Sequence, residues 1–355
     1  MTDRPARPTV VMTGATGFIG SALRRALARD FRIVGLTRSA AVIPPTSDGR
    51  EAGDGTEWRN CDLYSLLELE QALQGADYAI YLANSRLPSA RLVQGRFADI
   101  DLIMADNFAR AAQSCGLKQI IYLGGLIPSR ENLPTQLASR IEVERTLGSG
   151  TTPLTTLRAG LIVGPSGSSV RIVTNLVRRL PVMVLPEWTL TPQQPIAIDD
   201  VVRAVHVCLG VSAYFGGRYD IGGPEVLTFR AMLECAASVM GRRCVMLNVP
   251  YRSAALSKLW VTMLGGASHF LVGSLVDSLR YPMVAATNPL QTALQDGAKS
   301  FEVALRESID ERGAALGASI TKPRPRMWGS RRTATSWRSH RSRRGRGRQS
   351  FASSR

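Results

Sequence analysis

Residues 10–20 constrain the possible folds of this chain more than any other stretch. A strand-like apolar run passes directly into three glycines spaced three residues apart, and helical spacing follows. Glycine permits a tight turn after a strand, leaves no Cβ between the backbone and a phosphate, and lets the next helix pack closely on a sheet. The first N–H groups of that helix attract anions. The pattern therefore predicts a strand–loop–helix unit that holds a pyrophosphate through Gly14, Ala15, Thr16, Gly17, Phe18, Ile19 and Gly20.

The first half of the chain alternates between the two kinds of apolar periodicity. Strand-like runs occupy residues 9–13, 32–37, 78–82, 119–123 and 154–157. Helical spacing occupies residues 18–29, 64–73, 98–115 and 136–147, and a long loop is expected at 39–56. Strands that alternate with helices of this length predict βαβ units and a parallel sheet. The predicted fold class is α/β, a Rossmann-type doubly wound parallel sheet that binds a dinucleotide.

After about residue 164 the alternation loosens into a mostly helical pattern. Helices are expected at 169–180, 199–209, 229–240, 253–264, 269–279 and 301–316, and short strands at 218–221 and 245–249. Residues 254–276 are apolar, but Lys258, His269 and three glycines interrupt the run needed to span a membrane. Three parts are predicted: a dinucleotide-binding domain (1–165), a smaller cap or substrate region interleaved with it (166–321), and a disordered tail (322–355).

The strongly basic charge belongs to the tail. The formal net charge is +16, and residues 322–355 contribute twelve Lys or Arg and no Asp or Glu, which leaves +4 elsewhere. The folded part is therefore not expected to bind nucleic acid specifically. Clustered arginines attract phosphates of any source, so the tail is expected to contact nucleic acid or an anionic membrane surface, or to be an accidental extension.

The cysteines and the histidines argue against disulfides and metal. Five cysteines are scattered singly without a Cys-x-x-Cys pair, a pattern that favours a reducing compartment. No apolar leader precedes the first strand, so a cytoplasmic protein, peripheral to a membrane at most, is expected. The histidines lack the companions of a metal site, and none is predicted. The oligomeric state is left open.

Arg38 bears on the choice of dinucleotide. It lies eighteen residues past Gly20, at the end of the second strand, and no acidic residue occupies residues 35–39. An acid there accepts bonds from a free ribose hydroxyl, whereas an arginine accommodates a 2′-phosphate. The sequence thus favours NADP(H) over NAD(H).

The glycine motif is one of several that resemble a known family, the extended short-chain dehydrogenases/reductases of the NAD-dependent epimerase/dehydratase superfamily. The residues of these motifs are most similar to those of the atypical NmrA-like, NAD(P)H-binding branch. Further motifs are Cys61-Asp62-Leu63, Tyr81-Leu82-Ala83-Asn84, Tyr122-Leu123-Gly124-Gly125-Leu126, the run 158–165 and Ile198-Asp199-Asp200-Val201. The resemblance implies that Asp62 and Leu63 lie at the adenine, Ala83 and Asn84 at the ribose, and Gly124 and Gly160 near the nicotinamide. Read without the resemblance, Asp62 is a turn cap and the others are packing at strand ends.

The catalytic residues of typical members are missing. Those members use a Ser, a Tyr and a Lys, with Tyr and Lys four residues apart on one helix face. At the corresponding positions this chain has Gly124-Gly125, Gln136 and Arg140. Neither Gln nor Arg donates a proton near neutral pH, although Arg140 could bond to the cofactor ribose. Catalytic residues are therefore unknown, and Tyr122, the nearest phenol, is expected to point into the sheet.

Two functions remain open at this stage. The first, which we favour, is an NAD(P)H-dependent oxidoreductase that passes hydride to an apolar or quinone-like small molecule, because the cofactor itself carries that chemistry. The second is a non-catalytic NADP(H) sensor or structural subunit of the NmrA-like type. The glycine loop supports both, and the missing triad favours the second.

Overall fold

The computed structural model describes residues 7–38, 55–83, 97–128, 133, 135–249 and 279–321. Met1–Ala315 forms one compact unit. Thirteen strands are described: β1 Thr9–Met12, β2 Arg32–Thr37, β3 Glu57–Asn60, β4 Tyr78–Tyr81, β5 Gln119–Gly125, β6 Leu154–Ala159, β7 Ile162–Val163, β8 Val182–Pro186, β9 Pro192–Gln193, β10 Ile196–Ala197, β11 Arg218–Ile221, β12 Leu227–Thr228 and β13 Val245–Val249.

Eight of the nine helices of the described residues begin close to a predicted boundary, and the helix Pro289–Gln295 was not predicted. The helices of the described residues are α1 Phe18–Leu27, α2 Leu66–Leu73, α3 Phe97–Ser114, α4 Thr135–Leu147, α5 Ser168–Arg179, α6 Ile198–Cys208, α7 Phe229–Val239, α8 Pro289–Gln295 and α9 Phe301–Thr321. Helix α2 begins two residues later than predicted because Ser65 caps it, its side chain accepting a hydrogen bond from the Glu68 N–H (3.3 Å).

Seven strands form one parallel sheet in the order β3-β2-β1-β4-β5-β6-β11. Helices cover both faces, so the central strands are buried on both sides; Val10, Val11 and Met12 are fully buried. The strand order reverses at β1, where β2 lies on one side and β4 on the other. Ligands of such sheets bind outside the carboxyl ends of the strands at this reversal. The predicted α/β fold class is confirmed.

The second half of the chain returns to the sheet and also builds a core of its own. Strand β11 forms the sheet edge, and Val201 and Val205 of α6 share a core with Leu23 and Leu27 of α1. A separate apolar cluster joins helices α5, α7 and α9 with β8. The division at residues 165/166 stays a prediction, because these contacts run across it.

Strand β8 was missed by the sequence analysis. Pro181 precedes it and Pro186 ends it, and prolines normally argue against a strand. The strand forms because its partner β13, more than fifty residues away, pairs with it in parallel from Val182 onward. The helical pair expected at 253–264 and 269–279, apart from Leu279, and the tail after residue 321 lie outside the described residues. Within the described residues, no helix has both the length and the apolarity needed to cross a membrane.

Candidate functional site

The glycine loop between β1 and α1 has the conformation that the sequence predicts. Gly14 adopts a positive φ of 64°, and a Cβ there would lie 3.2 Å from the carbonyl oxygen and the Cβ of Leu82. The Gly17 N–H donates to the Gly14 carbonyl (3.0 Å). A Cβ on Gly20 would lie 2.7 Å from the Cα of Ala15, so α1 can approach the loop this closely only with glycine. Side chains at positions 14 and 20 would collide with Leu82 and with the loop backbone, so this tight turn, which we call the glycine cradle, requires glycine.

Thr13 joins the loop to the neighbouring strand. Its Oγ1 accepts hydrogen bonds from the N–H groups of Leu82 (2.9 Å) and Ala83 (3.0 Å), directly after β4. These bonds hold the carboxyl ends of β1 and β4 together at the point where the strand order reverses. The glycine loop therefore opens onto the crevice in which this class of sheet binds its ligands.

Arg24 supports the loop from beneath, a role that the sequence analysis did not assign. Its place on α1 lies off the apolar stripe that Leu23 and Leu27 form, yet its side chain is buried. Its Nε donates to the carbonyl of Ala15 (2.9 Å), and its guanidinium lies 5.0 Å from the ring centroid of Trp58 in β3. The side chain is buried off the apolar stripe because strand β3 brings Trp58 across the sheet to cover it.

A cleft of about 640 Å³ lies between the glycine loop and the ends of the central strands. This volume falls in the range of small-molecule sites. The cleft brings together nine residues predicted to contact the cofactor: Gly14, Gly17, Phe18, Ile19, Gly20, Ala83, Gly124, Arg140 and Gly160. Aliphatic and thioether side chains form much of the remaining wall: Leu82, Leu123, Leu126, Leu161, Ile162, Ile172, Leu279 and Met283.

Other predicted residues lie outside this cleft. Ala15 is buried beneath the loop, and Thr16 lines a second groove of about 360 Å³. Arg38 is exposed at the end of β2. Asp62 and Leu63 follow β3, where Asp62 Oδ1 accepts from the Tyr64 N–H (3.1 Å), the turn-cap geometry considered as an alternative. Asn84 lies outside the described residues.

Gly160 is explained in part by packing alone. A Cβ at this position would collide with the carbonyl oxygen of Gln194, and the Gly160 N–H donates to the carbonyl of Ile221 (3.2 Å). The close approach at the end of β6 requires glycine whether or not a ligand is bound. Gly160 also lines the cleft, and its lack of a side chain leaves room there for a ligand.

Among the described residues that line the cleft, Arg140 carries the charge. Its guanidinium lies against Gly125 on β5, and Nη1 occupies the space that a Cβ on residue 125 would need. Burial lowers the pKa of Arg140, and the nearby Tyr122 and Asp101 act against that shift. An arginine pKa starts high enough that the side chain stays protonated in spite of this. The cleft thus contains a permanent positive charge in an otherwise largely apolar wall.

The two other positions of interest in the family pattern supply no acid. Position 136 lies on α4 one turn before Arg140, and it holds a glutamine. Tyr122 is 6% exposed and packs against Tyr81, with the ring centroids 6.2 Å apart. Its ring also lines the cleft beside Gly124, so the expectation that Tyr122 points into the sheet holds only in part. Among the described residues, no group of three His, Cys, Asp or Glu side chains could hold a metal ion.

Comparison with known proteins places this site in a family. The pattern of the NAD dependent epimerase/dehydratase family matches residues 10–222. The chain is 29% identical over 189 residues to the auxiliary protein GraX of Staphylococcus aureus, covering 52% of this chain and only 55% of GraX. It is 26% identical over 294 residues to the ceramide reductase of Caulobacter vibrioides, covering 80% of this chain and 88% of that protein.

Solved structures agree on the fold. The triphenylmethane reductase of a Citrobacter species superposes with a TM-score of 0.66 at 17% identity, covering 85% of this chain and 99% of that one. Similar structures include complexes with NAD and complexes with NADP(H). The family match covers more than half of the chain, and it begins in the strand that leads into the glycine loop. The chain belongs to the NAD dependent epimerase/dehydratase family and has its NAD(P)-binding fold.

Proposed function

We propose that this protein is an NAD(P)H-dependent oxidoreductase that reduces an apolar or quinone-like carbonyl compound without a Ser-Tyr-Lys triad. One observation carries the proposal: the glycine cradle, an apolar wall and the guanidinium of Arg140 meet in a single cleft. The relatives that are named reductases support the reaction class.

The described residues fit a dinucleotide. A pyrophosphate would lie over the backbone at Gly17, where the absence of a side chain leaves room, and the N-terminus of α1 would offer its free N–H groups. Ala83 lies at the end of β4, where the ribose would reach it, and Gly124 leaves the end of β5 open for the nicotinamide. By resemblance, Asp62, Leu63 and Asn84 complete the adenosine end.

The bound dinucleotide supplies the hydride. Arg140 would donate hydrogen bonds to the ribose or to the substrate oxygen, where it would stabilise the negative charge that develops as the carbonyl carbon accepts the hydride. Because Arg140 does not release its proton, the proton that the oxygen finally takes comes from water or from a group on the substrate. The side chains of the cleft would therefore orient the substrate and stabilise the charge on its oxygen, and they would not exchange protons with it.

The lining favours an apolar acceptor. Ile172, Leu279 and Met283 come from the second half of the chain and line the cleft beside the glycine loop. They support a role for residues 166–321 as the part that selects the substrate. The relative named ceramide reductase supports an apolar, lipid-like substrate.

NADP(H) is the proposed preferred form of the cofactor. Arg38 is exposed at the end of β2 and close enough to Tyr64 to influence its ionisation. A 2′-phosphate on an adenosine ribose near the end of β2 would meet this positive charge, and no acid is found at residues 35–39. A cytoplasmic location, from the cysteine pattern, and phosphate contacts by the Arg-rich tail also remain proposals.

A turnover screen tests the reaction class. The full chain is mixed with NADPH and a panel of quinones and enones, and separately with NADP+ and simple alcohols, and the change in cofactor absorbance is followed. Sugar nucleotides are incubated with the chain and either oxidised cofactor, and the products are analysed directly because epimerisation leaves no net change in the cofactor. We expect turnover with an apolar quinone or enone and none with sugar nucleotides or alcohols. Gln136→Ala should shift KM modestly and should not cost the hundredfold or more that accompanies loss of a general acid. Strong alcohol oxidation by the wild type would contradict the proposal.

A second function is favoured by one observation: all three positions of the triad hold residues that cannot catalyse proton transfer. The protein would then be a sensor or structural subunit that binds NADP(H) without consuming it. Cofactor binding without turnover across the whole panel supports this alternative.

A further inference from the structure

The strand pair β8–β13 exposes an apolar face. The register places Val182 beside Val245 and Val184 beside Leu247, and these four side chains are 40–54% exposed. Met183, which alternates with them on β8, is buried in the core of the second half. Parallel strands ordinarily have both of their faces covered. A row of exposed aliphatic side chains on such a pair therefore marks a contact surface.

Arginines gather at one end of this face. Arg178 and Arg179 end α5 just before β8, while Arg242 and Arg243 precede β13. The two strands run in parallel, so their amino-terminal ends adjoin. The Arg242 side chain donates to the carbonyl of Arg178 (2.8 Å), which joins the two pairs directly. No acidic residue occurs in 178–186 or 240–249.

The surrounding charges are also positive. The pKa of Arg312 on α9 is lowered by burial and by the charges of Arg171 and Arg178 on α5. Within the part of the chain that the structure describes, Arg171, Arg178, Arg242, Arg243 and Arg312 form no ion pair with a carboxylate. Cations so close to one another are stabilised when an anionic partner approaches.

We propose that the apolar face of β8–β13 and the arginines at its end form a docking surface for a bilayer that contains anionic lipid. An interfacial surface combines apolar side chains that enter the headgroup boundary with cations that meet lipid phosphates. Aliphatic side chains in a row, next to Arg178, Arg242 and Arg243 in stretches of sequence without an acidic residue, have this composition. The proposal concerns binding only and does not depend on the reaction proposed above.

Hydrogen exchange of the full chain locates the contact. The Arg-rich tail also attracts anionic vesicles, so total binding alone is not sufficient. Exchange is measured with phosphatidylcholine vesicles that contain or lack phosphatidylserine. We expect slower exchange in peptides covering 178–186 and 242–249, only with the anionic vesicles. Slower exchange confined to the tail, or no change anywhere, would overturn the proposal.

Variants of the full chain separate the contribution of the arginines from that of the apolar face. Arg242→Gln/Arg243→Gln should weaken binding to the anionic vesicles about tenfold or more, whereas Arg29→Gln/Arg145→Gln, the same charge change at exposed sites elsewhere, should not. Val182→Thr/Val245→Thr keeps β-branched side chains and should remove the protection of 178–186 and 242–249 without lowering the melting temperature.

Two results would assign the face to another occupant. A dimer in solution that Val182→Thr/Val245→Thr dissociates would show that a second copy covers it. Destabilisation by the same variant, with no effect of vesicles on exchange, would show that residues 250–278 of the chain itself cover it. Either outcome contradicts the proposal.

Discussion

The guanidinium of Arg140 lies over Gly125 and fills the space that a Cβ at that position would take. The two residues belong to different elements, α4 and β5, and both positions differ from the Ser and Lys pattern of typical members of the wider superfamily. A glycine beside the arginine leaves room for the guanidinium in the cleft wall. The two differences are therefore linked. Glycine in place of the catalytic serine makes room for the permanent cation of Arg140.

Replacing Arg140 should weaken cofactor binding. Arg140→Ala removes charged hydrogen bonds that we place at the nicotinamide end, and such bonds contribute about 1.5–3 kcal/mol. We expect the Kd for NADPH to rise about tenfold or more, measured by cofactor fluorescence. Arg145→Ala, an exposed arginine on the same helix, is the matched control and should bind as the wild type does. An unchanged Kd in Arg140→Ala would show that the guanidinium does not contact the cofactor.

Arg38 should set the preference between the two dinucleotides. We expect NADP(H) to bind at least about tenfold more tightly than NAD(H), or about 1.4 kcal/mol. Arg38→Ala should erase that difference by weakening NADP(H) binding alone, because NAD(H) has no phosphate for the arginine to meet. Parallel titrations with both cofactors test this. Equal affinities of the wild type for NADP(H) and NAD(H) would contradict the role of Arg38 at the 2′-phosphate.

Asp77 should make part of the stability depend on pH. Its carboxylate accepts hydrogen bonds from Lys118 Nζ (2.7 Å) and from the Thr9 N–H (2.9 Å), and these hold the pKa of Asp77 below its usual value of 3.8. A carboxyl whose folded pKa is lowered stabilises the fold above its unfolded pKa. That contribution is lost as the pH falls through the folded value.

Asp77→Asn should therefore be about 1 kcal/mol less stable than the wild type at neutral pH, as expected for a half-exposed pair with an added backbone bond. The difference should shrink as the pH falls below 3.8. Urea unfolding at several pH values measures it. Asp106→Asn, which changes an exposed carboxylate 3.7 Å from Arg110, should show almost no difference at any pH.

The glycine loop could be predicted because its signal is local. Three glycines at fixed spacing between a strand and a helix determine a backbone path, whatever the rest of the chain does. The position of Arg140 in the cleft wall also followed from its place on a helix relative to the family pattern. Its contact with Gly125 did not, because that contact requires β5 and α4 to be neighbours in space.

Features that depend on distant partners were missed. Strand β8 lies between prolines, and its partner β13 begins more than fifty residues further along the chain. Arg24 has the spacing of a solvent-facing residue, and only the pairing of β2 with β3 brings Trp58 over it. Periodicity reports how one element divides into faces, and it carries no information about what covers the polar face.

Calorimetric titration of the full chain with NADPH tests the central claim, that the glycine loop holds a dinucleotide in the described cleft. Gly17→Leu is the decisive variant, because its side chain would enter the phosphate cradle. Gly17 has an ordinary extended backbone (φ −74°), and a Cβ there would meet only the Gly14 carbonyl oxygen, at 3.2 Å, so a small local shift accommodates it. We predict saturable binding at one site in the wild type and none in Gly17→Leu, with the melting temperature of the free proteins nearly equal. Absence of binding in the wild type, or equal binding in the folded variant, would contradict the account.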